Sequence, residues 1–444
     1  MELTFKTLQE AVRGTACAFR CRCQLQPAGG PGDKVFPPTY AGAVYAKEQR
    51  RVPGCNDAVE CVLLDSVQSQ ANRMEDALQA AVDQGRLTIP VIEVDFGRSS
   101  LPVPIGKVTS LQAPHRIADA ILRDSLLDDV SFRKTELGQS LDAASIHNAT
   151  PLYRLCPTAL ILGMWDSTGP KGGMGVKFQR AMVSEIVGID AVFGVKTSSR
   201  IDPLQVTKNA GPLFRTPDGG WTLDQQAAIR EENKLVLYKK DKGKDVLWDP
   251  QTDAGKIPDQ GRPSVANHGN RTPDIDYRRD PNGRLVYDGN GSPIAVGGVT
   301  LTQAEQLTVL SLPALRRLHF PIPGKSKDEQ IRVDAAGQTV LAALGLCAAA
   351  LAGERGLDLR SRCLLWPTET MEWELLDRPG QTPANMALTA DNAIAVLNDA
   401  VAAAEEIGLS WRTEPLVLMP SPQLVELVRR SQELAAVSAG TEEG

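Results

Sequence analysis

Residues 61–85 read CVLLDSVQSQANRMEDALQAAVDQG, an apolar run followed by apolar side chains at three- and four-residue steps. The opening run is typical of a short buried strand, and the spacing after Val67 is that of an amphipathic helix. Asp65 or Ser66 can cap the first turn, and Gly85 can end the helix. We therefore predict a strand that leads directly into a helix of about four turns.

The N-terminal segment alternates in the manner of a half-buried strand. Odd positions from Cys17 to Leu25 are apolar or cysteine, whereas the even positions include Arg20 and Arg22. This pattern predicts one buried face and one basic face. Cys17, Cys21 and Cys23 lack the second cysteine pair or the histidines of a thiolate metal site, so we interpret them as small core residues and expect no metal.

The same criteria predict further elements of both kinds before residue 200. Helices are expected at residues 115–124, 140–148 and 177–187, and strands at 88–96 and 159–165. Trp165, at the end of the last apolar run, is expected to pack in the core; the alternative is that its ring stacks on a base of a single strand.

A regular order of elements follows Leu301. We predict strand 315–320, helix 334–352, strands 363–366 and 371–376, helix 390–407, strand 415–419 and a last helix at 423–437. The order β-α-β-β-α-β is that of a ferredoxin-like or RRM-like sandwich, which RNA binders and enzymes both use. The predicted fold class is therefore α+β with an RRM-like/ferredoxin-like core.

Composition divides the chain into three predicted parts. Glycine, proline, aspartate and lysine dominate from Pro217 to Gly298, with two short strands expected around residues 241–243. We interpret residues 217–300 as an inserted, hairpin-rich arm between an N-terminal part, 1–216, and a C-terminal part, 301–444. The alternative is a disordered surface loop.

Bulk composition excludes several classes of protein. The 444 residues are 42% hydrophobic and 23% charged, which is typical of a globular protein. The net charge of −6 does not indicate a strongly basic nucleic-acid binder, although residues 160–216 carry seven basic and four acidic side chains. The apolar run near residues 340–352 is short for a membrane span, and the cysteines do not form a disulfide scaffold, so we expect a cytoplasmic protein.

The sequence lacks the residues that standard catalytic and cofactor-binding motifs require. Residues 323–326 end like a phosphate-binding loop, but His319 stands where its first glycine is needed. The glycines at 172–175 lack the third glycine of a dinucleotide fingerprint. The four histidines form no HExxH motif, and no serine lies in a GxSxG elbow. We expect no cofactor, and neither acyl-transfer nor zinc-hydrolase chemistry has a motif to support it.

Three phrases of the sequence are distinctive together. They are residues 65–75, DSVQSQANRME, residues 113–120, APHRIADA, and residues 163–168, GMWDST, which continue to KFQRAMVSEI at 177–186. The set resembles the backbone RAMP subunit of the type I-U (also called I-G) CRISPR Cascade complex, and the similarity extends over nearly the whole chain.

The resemblance implies a modified RRM-like palm with finger and thumb insertions. It also implies several copies stacked along one CRISPR RNA for antiviral defence, other Cascade subunits as partners, a target DNA strand paired with the guide, and no catalytic role. No membrane partner is implied. The alternative function is a RAMP-type endoribonuclease that processes precursor CRISPR RNA with a histidine such as His115 as general acid or base.

Basic and polar residues near these phrases are the candidate RNA contacts. Lys177 and Arg180 would share one helix face, and Lys171 lies in the glycine-rich loop before it, where a phosphate could bind. Each residue could instead be a solvated or capping side chain. The candidate RNA-binding residues are Arg20, Arg22, Gln70, Asn72, Arg73, His115, Arg116, Lys171, Lys177, Arg180, Lys196 and Arg200.

Overall fold

The computed structural model describes residues 2–41, 44–53, 56–167, 175–280, 284–287, 289, 291–294 and 297–442, with side chains as far as residue 436. Its α-helices are α1 (Phe5–Arg13), α2 (Val67–Asp83), α3 (Ala120–Arg123), α4 (Glu136–Asp142), α5 (Thr150–Leu155), α6 (Thr158–Ile161), α7 (Leu312–Arg316), α8 (Lys327–Glu354), α9 (Ala390–Glu406) and α10 (Pro422–Glu442).

The strands alternate with these helices along the chain. Those of the first half are β1 (Ala18–Pro27), β2 (Lys47–Arg50), β3 (Val59–Asp65), β4 (Ile92–Asp95), β5 (Lys107–Thr109), β6 (Ser125–Leu127), β7 (Val130–Ser131), β8 (Met164–Trp165), β9 (Lys177–Phe178), β10 (Met182–Ile189), β11 (Val192–Phe193), β12 (Thr197–Arg200), β13 (Phe214–Arg215) and β14 (Trp221–Thr222). Those of the second half are β15 (Arg230–Glu231), β16 (Lys234–Val236), β17 (Leu247–Trp248), β18 (Arg271–Ile275), β19 (Val299–Thr300), β20 (Gln303–Ser311), β21 (Leu357–Arg360), β22 (Cys363–Pro367), β23 (Glu372–Leu376), β24 (Ala384–Ala387) and β25 (Leu416–Pro420).

Two compact units share the chain. The first consists of Met1–Ser100, Pro104–Gly194 and Gly298–Val425, and the second of Leu101–Val103, Val195–Gly297 and Glu426–Gly444.

The main sheet of the first unit has the strand order of an RRM. Strands lie in the order β2-β3-β10-β20-β1-β22-β21, with β23 also paired to β1 and β24 to β23. The pairs β1–β20, β10–β20 and β1–β22 are antiparallel. Along the chain, β1, α2, β10, β20, α8 and β22 form a β-α-β-β-α-β series whose first strand lies between the third and fourth. The predicted fold class, α+β with an RRM-like core, is confirmed.

One face of this sheet is buried under helices. Phe19, Cys21, Cys23 and Leu25 of β1 point inward together with alternate residues of β20, such as Leu310. Helices α2 and α8 cover this face, and α8 also packs on α1 and α9. The alternation predicted for residues 17–25 therefore places the basic side chains on the open face, although Cys17 itself is exposed.

Helix α8 is the central helix of this unit. Ser326 and Glu329 form a capping box at its start. By length and composition α8 could cross a membrane, but 72% of its most apolar window is buried within the fold. Its apolar composition is that of a helix surrounded by protein on most sides.

A smaller sheet of the first unit has the order β5-β4-β25-β6-β7. Strands β4 and β25 are parallel, and the other pairs are antiparallel. The last strand of the predicted C-terminal series therefore joins a sheet formed by earlier segments of the chain.

The second unit is built from short antiparallel pairings. Strand β13 pairs with β14, β16 lies between β15 and β17, and β12 pairs with β18. Phe214, Leu235, Leu237 and Trp248 form its small apolar cluster. Strands β16 and β17 correspond to the two strands predicted around residues 241–243.

Several predicted elements are confirmed by the structure. They are the N-terminal strand (β1), the strand and helix of residues 61–85 (β3 and α2), the strand in 88–96 (β4), and, after residue 330, α8, β22, β23, α9, β25 and α10. Most of them are long or have a clear cap, and these signals are local.

The helix predicted at residues 177–187 is wrong. This segment forms β9 and then β10, which lies between β20 and β3 in the main sheet. Apolar residues fall at helical steps because β10 is largely buried on both faces at its end, where Ile186, Val187 and Gly188 are all enclosed.

Four other predictions need correction. Residues 315–320 belong partly to helix α7, which Ser311 caps, and residues 159–165 divide into the end of α6 and the short strand β8. The helix expected at 115–124 is split, because Asp119 ends one 3-10 turn and caps α3. The helix expected at 140–148 begins and ends earlier, as α4.

The packing of α8 predicts opposite effects for two glycines of that helix. A Cβ on Gly337 would lie 2.6 Å from the ring of buried Phe320 and 2.9 Å from Leu409, whereas a Cβ on Gly353 would meet nothing closer than 3.9 Å. We expect Gly337→Ala to lower the free energy of unfolding by roughly 1–2 kcal/mol, because overpacking outweighs helix propensity. Gly353→Ala should raise it slightly. Denaturant titration of both variants checks this, and equal stabilisation by the two would contradict the packing described.

Candidate nucleic-acid interface

A groove in the first unit brings together residues from several predicted phrases. Its volume is about 1100 Å³, and it is lined by the start of α2, residues 114–116, the β8–β9 hairpin and the start of β10. We call it the α2–β9 groove and define it by Asn72, His115, Trp165, Lys177 and Arg180. Its lining combines exposed cations, an aromatic ring and polar side chains.

The β8–β9 hairpin presents an aromatic ring and a cation side by side. Met164 pairs with Phe178 and Trp165 with Lys177, so strand alternation turns Phe178 inward and Lys177 outward. The Lys177 Nζ lies 5.2 Å from the centre of the Trp165 ring, a cation–π distance. Trp165 is 52% exposed, so the expectation that it packs in the core is wrong.

Arg180 reaches the groove because the residue packed beside it, Gly163, has no side chain. Gly163 has φ +82°, and a Cβ there would lie 2.9 Å from Arg180 Cγ and 3.1 Å from its backbone nitrogen. Only glycine combines this conformation with so close an approach. Within the described part of the chain, neither Arg180 nor Lys177 has a carboxylate in salt-bridge contact.

The first turns of α2 supply polar groups to the same groove. Ser66 caps the helix by accepting from the Ser69 backbone nitrogen, and the first turn contains no acidic residue. Gln68 and Asn72 are exposed and line the groove. The helix N-terminus thus adds a partial positive charge beside the two cations.

A buried ion pair fixes the groove floor. Arg116 donates to Glu75 Oε1 (2.6 Å) and Oε2 (2.8 Å) and to the Gly163 carbonyl (3.1 Å). Burial raises the pKa of Glu75 to about 7, although the Arg116 guanidinium favours the carboxylate. Arg116 is 7% exposed, so its predicted role as an RNA contact is replaced by a structural one.

Gln70 and Arg73 also form hydrogen bonds within the protein. Fully buried Asp65 accepts from Gln70 Nε2 (2.7 Å) and Arg73 Nε (2.9 Å), and Arg73 donates further to the Leu359 carbonyl (2.7 Å). Gln70 is 3% exposed and cannot reach a polyanion in this structure. Arg73 is partly exposed, but its donors are engaged with the protein.

Arg20 and Arg22 lie on the open face of the main sheet, as the alternation predicts. Arg20 Nε donates to Glu374 at 2.7 Å, and Arg22 Nε lies 3.7 Å from Glu305. Each arginine thus has an acidic neighbour on an adjacent strand, which reduces the attraction of this face for phosphates.

The remaining candidates lie elsewhere. Lys196 and Arg200 belong to the second unit, where Lys196 Nζ is 3.6 Å from Asp276 and Arg200 donates to the Gly269 carbonyl. Lys171 lies outside the described residues. Of the predicted set, the groove therefore gathers Asn72, His115, Lys177 and Arg180 at its surface.

Sequence reasoning missed some of the lining. Gln68, Gln179 and Val183 also line the groove. Gln179 and Val183 were missed because a helix was predicted at 177–187. The glycine-rich sequence between Trp165 and Lys177 could have suggested a hairpin instead. As for metals, the described residues contain no group of three or more His, Cys, Asp or Glu side chains able to hold one.

Comparison with known protein families identifies a similarity in the N-terminal half of the chain. A family model described as "CRISPR-associated protein GSU0053" matches residues 19–192. The matched region runs from β1 to β11 and includes every residue that defines the α2–β9 groove. No curated protein matches the chain.

The ion pair beneath the groove predicts a large loss of stability for one substitution on α2. Glu75→Ala would leave the buried Arg116 guanidinium without its carboxylate, which costs about 3–5 kcal/mol. Asp76→Ala, at the adjacent exposed position, is the matched control and should change stability by less than about 0.5 kcal/mol. Thermal unfolding measures both, and similar melting temperatures for the two variants would contradict the role given to Glu75.

Proposed function

We propose that this chain, a CRISPR-associated protein, is the guide-RNA-binding backbone subunit of a type I-U/I-G Cascade complex. Several copies would polymerise along one CRISPR RNA in the cytoplasm, beside other Cascade subunits. The guide would pair with a target DNA strand, and the chain itself would be non-catalytic.

The observation that carries this proposal is the composition of the α2–β9 groove. Lys177 and Arg180 have no acidic partner among the described residues, and Trp165 is exposed beside them. Unpaired cations attract phosphates, and an exposed aromatic ring can stack on a base of a single strand. An RNA strand offers both groups, phosphates for the cations and bases for the aromatic ring.

The open face of the main sheet is a less suitable surface for the guide. Arg20 and Arg22 are each near a glutamate, and Arg50 donates to Glu185 at 3.0 Å. A phosphate there would have to compete with existing ion pairs. In the groove, Lys177 and Arg180 have no ion pair among the described residues that a phosphate would have to displace. We therefore propose that the guide binds in the groove.

The net charge of −6 is compatible with this role. A subunit that repeats along RNA needs to neutralise only the few phosphates that each copy covers. Two cations and a helix N-terminus at one groove supply such a local positive region.

Removing the two groove cations should change the salt dependence of RNA binding. For Lys177→Ala/Arg180→Ala, the slope of log affinity against log salt should flatten by roughly 1.4 for a single strand, because about two phosphate contacts per copy are lost. The measurement is binding of a guide-length single-stranded RNA at several salt concentrations, together with the melting temperature.

A control pair of cations removes the same charge away from the groove. Arg86 and Lys107 are paired with carboxylates, and neither lines the groove. Arg86→Ala/Lys107→Ala should leave the slope nearly unchanged. Equal slopes in both double variants, with normal melting temperatures, would exclude the groove as the phosphate site.

The proposed polymer predicts that particle size depends on RNA length. Identical copies on one strand meet through a head-to-tail interface, which does not close and grows with its template. Light scattering of the protein with guides of increasing length should show a mass that rises in steps of one subunit. A closed dimer of constant mass would contradict the backbone role.

The position of His115 is a reason to test the second candidate function, an endoribonuclease for precursor CRISPR RNA. Its side chain lines the groove, where it could act as general acid or base. We expect neither the wild-type protein nor His115→Ala to cleave repeat RNA in the presence of a metal chelator. Cleavage by the wild type that His115→Ala abolishes would replace the non-catalytic proposal with the enzyme.

A further inference from the structure

A second cavity lies on the helical side of the main sheet. It has a volume of about 540 Å³ and lies between α2, the end of α8, β21, β23 and the start of α9. Its lining shares no residue with the α2–β9 groove. A volume of this size suits a small organic molecule.

The polar floor of the cavity has a fixed direction of hydrogen bonding. Asp65 is fully buried and bound by two arginines, so its carboxylate oxygens only accept. Gln70 must therefore donate to Asp65 through Nε2, which leaves Gln70 Oε1 as an acceptor. Ser184 Oγ and Gln306 Nε2 both donate to that oxygen, each at 2.9 Å.

This direction leaves Gln306 with an unused acceptor. Because its amide nitrogen is held by Gln70, its Oε1 is the free end of the amide. Gln306 is 8% exposed, and its Oε1 is buried without a hydrogen-bond partner. Gln306 lines the cavity, and a buried acceptor without a donor costs free energy. A ligand that donates a hydrogen bond to this oxygen would recover that free energy.

The rim favours a cation over an anion. Both arginines that line it already donate to the protein, Arg73 to Asp65 and Arg355 to the Asp76 carbonyl. Asp76 and Asp358 also line the cavity, and neither has an ion pair within the described residues. Among the described residues that line the cavity, the two aspartates without an ion pair thus outnumber the one arginine without an ion pair, Arg355.

An aromatic wall adds to this preference. Trp373 pairs with Cys21 across β1 and β23, and both line the cavity. Trp373 is 5% exposed, so a ligand beside its indole would be largely desolvated. Cations bind well against such rings, most strongly where water is excluded.

We propose that this cavity binds a small organic cation with N–H donors, such as an amidine, a guanidine or a primary amine. Gln306 Oε1 accepts one N–H at the floor, Trp373 contacts the charged group, and Asp76 and Asp358 compensate its charge. The site is independent of the RNA groove and of the function proposed for it.

Benzamidinium is a suitable probe because it is a planar cation with N–H donors. It should raise the melting temperature of the wild-type protein with increasing concentration, whereas benzoate, an anion on the same ring, should not. No shift with benzamidinium, or equal shifts with both compounds, would overturn the proposal and leave the cavity as a water-filled space.

Three variants locate the binding. Gln306→Leu, which keeps the side-chain size but removes the acceptor, should weaken benzamidinium binding by about tenfold in calorimetry. Lys177→Ala/Arg180→Ala should bind it as the wild type does. Unchanged affinity in Gln306→Leu would show that the probe binds elsewhere. If Gln306→Leu does not fold, Asp76→Asn/Asp358→Asn decides: weaker binding supports the site, and unchanged binding overturns it.

Discussion

The buried carboxylate of Asp65 is the interaction on which the rest of the first unit depends. It is fully inaccessible and accepts from Ser69, Gln70, Arg73 and Arg360, which come from α2 and from the end of β21. A buried charge is tolerated only when it is paired and hydrogen-bonded. Its position at the junction of β3 and α2 therefore fixes where the helix begins and which strands lie beneath it.

Two consequences follow from this junction. Through Gln70 the network reaches Ser184 of β10 and Gln306 of β20, so three strands and a helix are held in one register. Further along the same helix, Glu75 fixes Arg116 and, through it, the Gly163 carbonyl. The exposed pair Trp165 and Lys177 follows directly from that position of the hairpin. Two buried carboxylates, Asp65 at the end of β3 and Glu75 of α2, thus support the cavity and the groove.

The sequence predicted the elements whose signals are local and strong. Helix α2 has a cap, a regular apolar spacing and a terminal glycine, and β1 alternates without interruption. Strand β10 was mistaken for a helix because its identity depends on β3 and β20, which lie far away along the chain. Spacing alone cannot distinguish a helix from a strand enclosed on both faces.

The roles of single polar residues, like the helices and strands, could be predicted only in part. Lys177 and Arg180 were predicted as RNA contacts from charge and position, and both line the α2–β9 groove, although they do not lie on the helix that was predicted for them. Gln70 and Arg116 were taken for surface contacts because each has a partner that is distant in sequence: Gln306 lies 236 positions from Gln70, and Glu75 lies 41 from Arg116. A polar side chain in a sequence shows what it can bind, but the fold decides which partner it meets.

The most direct measurement of the central claim is cross-linking of the protein to the RNA that it carries. The chain would be expressed with a CRISPR array, purified, irradiated with ultraviolet light and digested, and the RNA-linked peptides identified by mass spectrometry. The account predicts uniform short RNA in the purified material and cross-links in the peptides that contain Trp165 and Lys177. A monomer free of nucleic acid, or cross-links confined to peptides outside the α2–β9 groove, would contradict it.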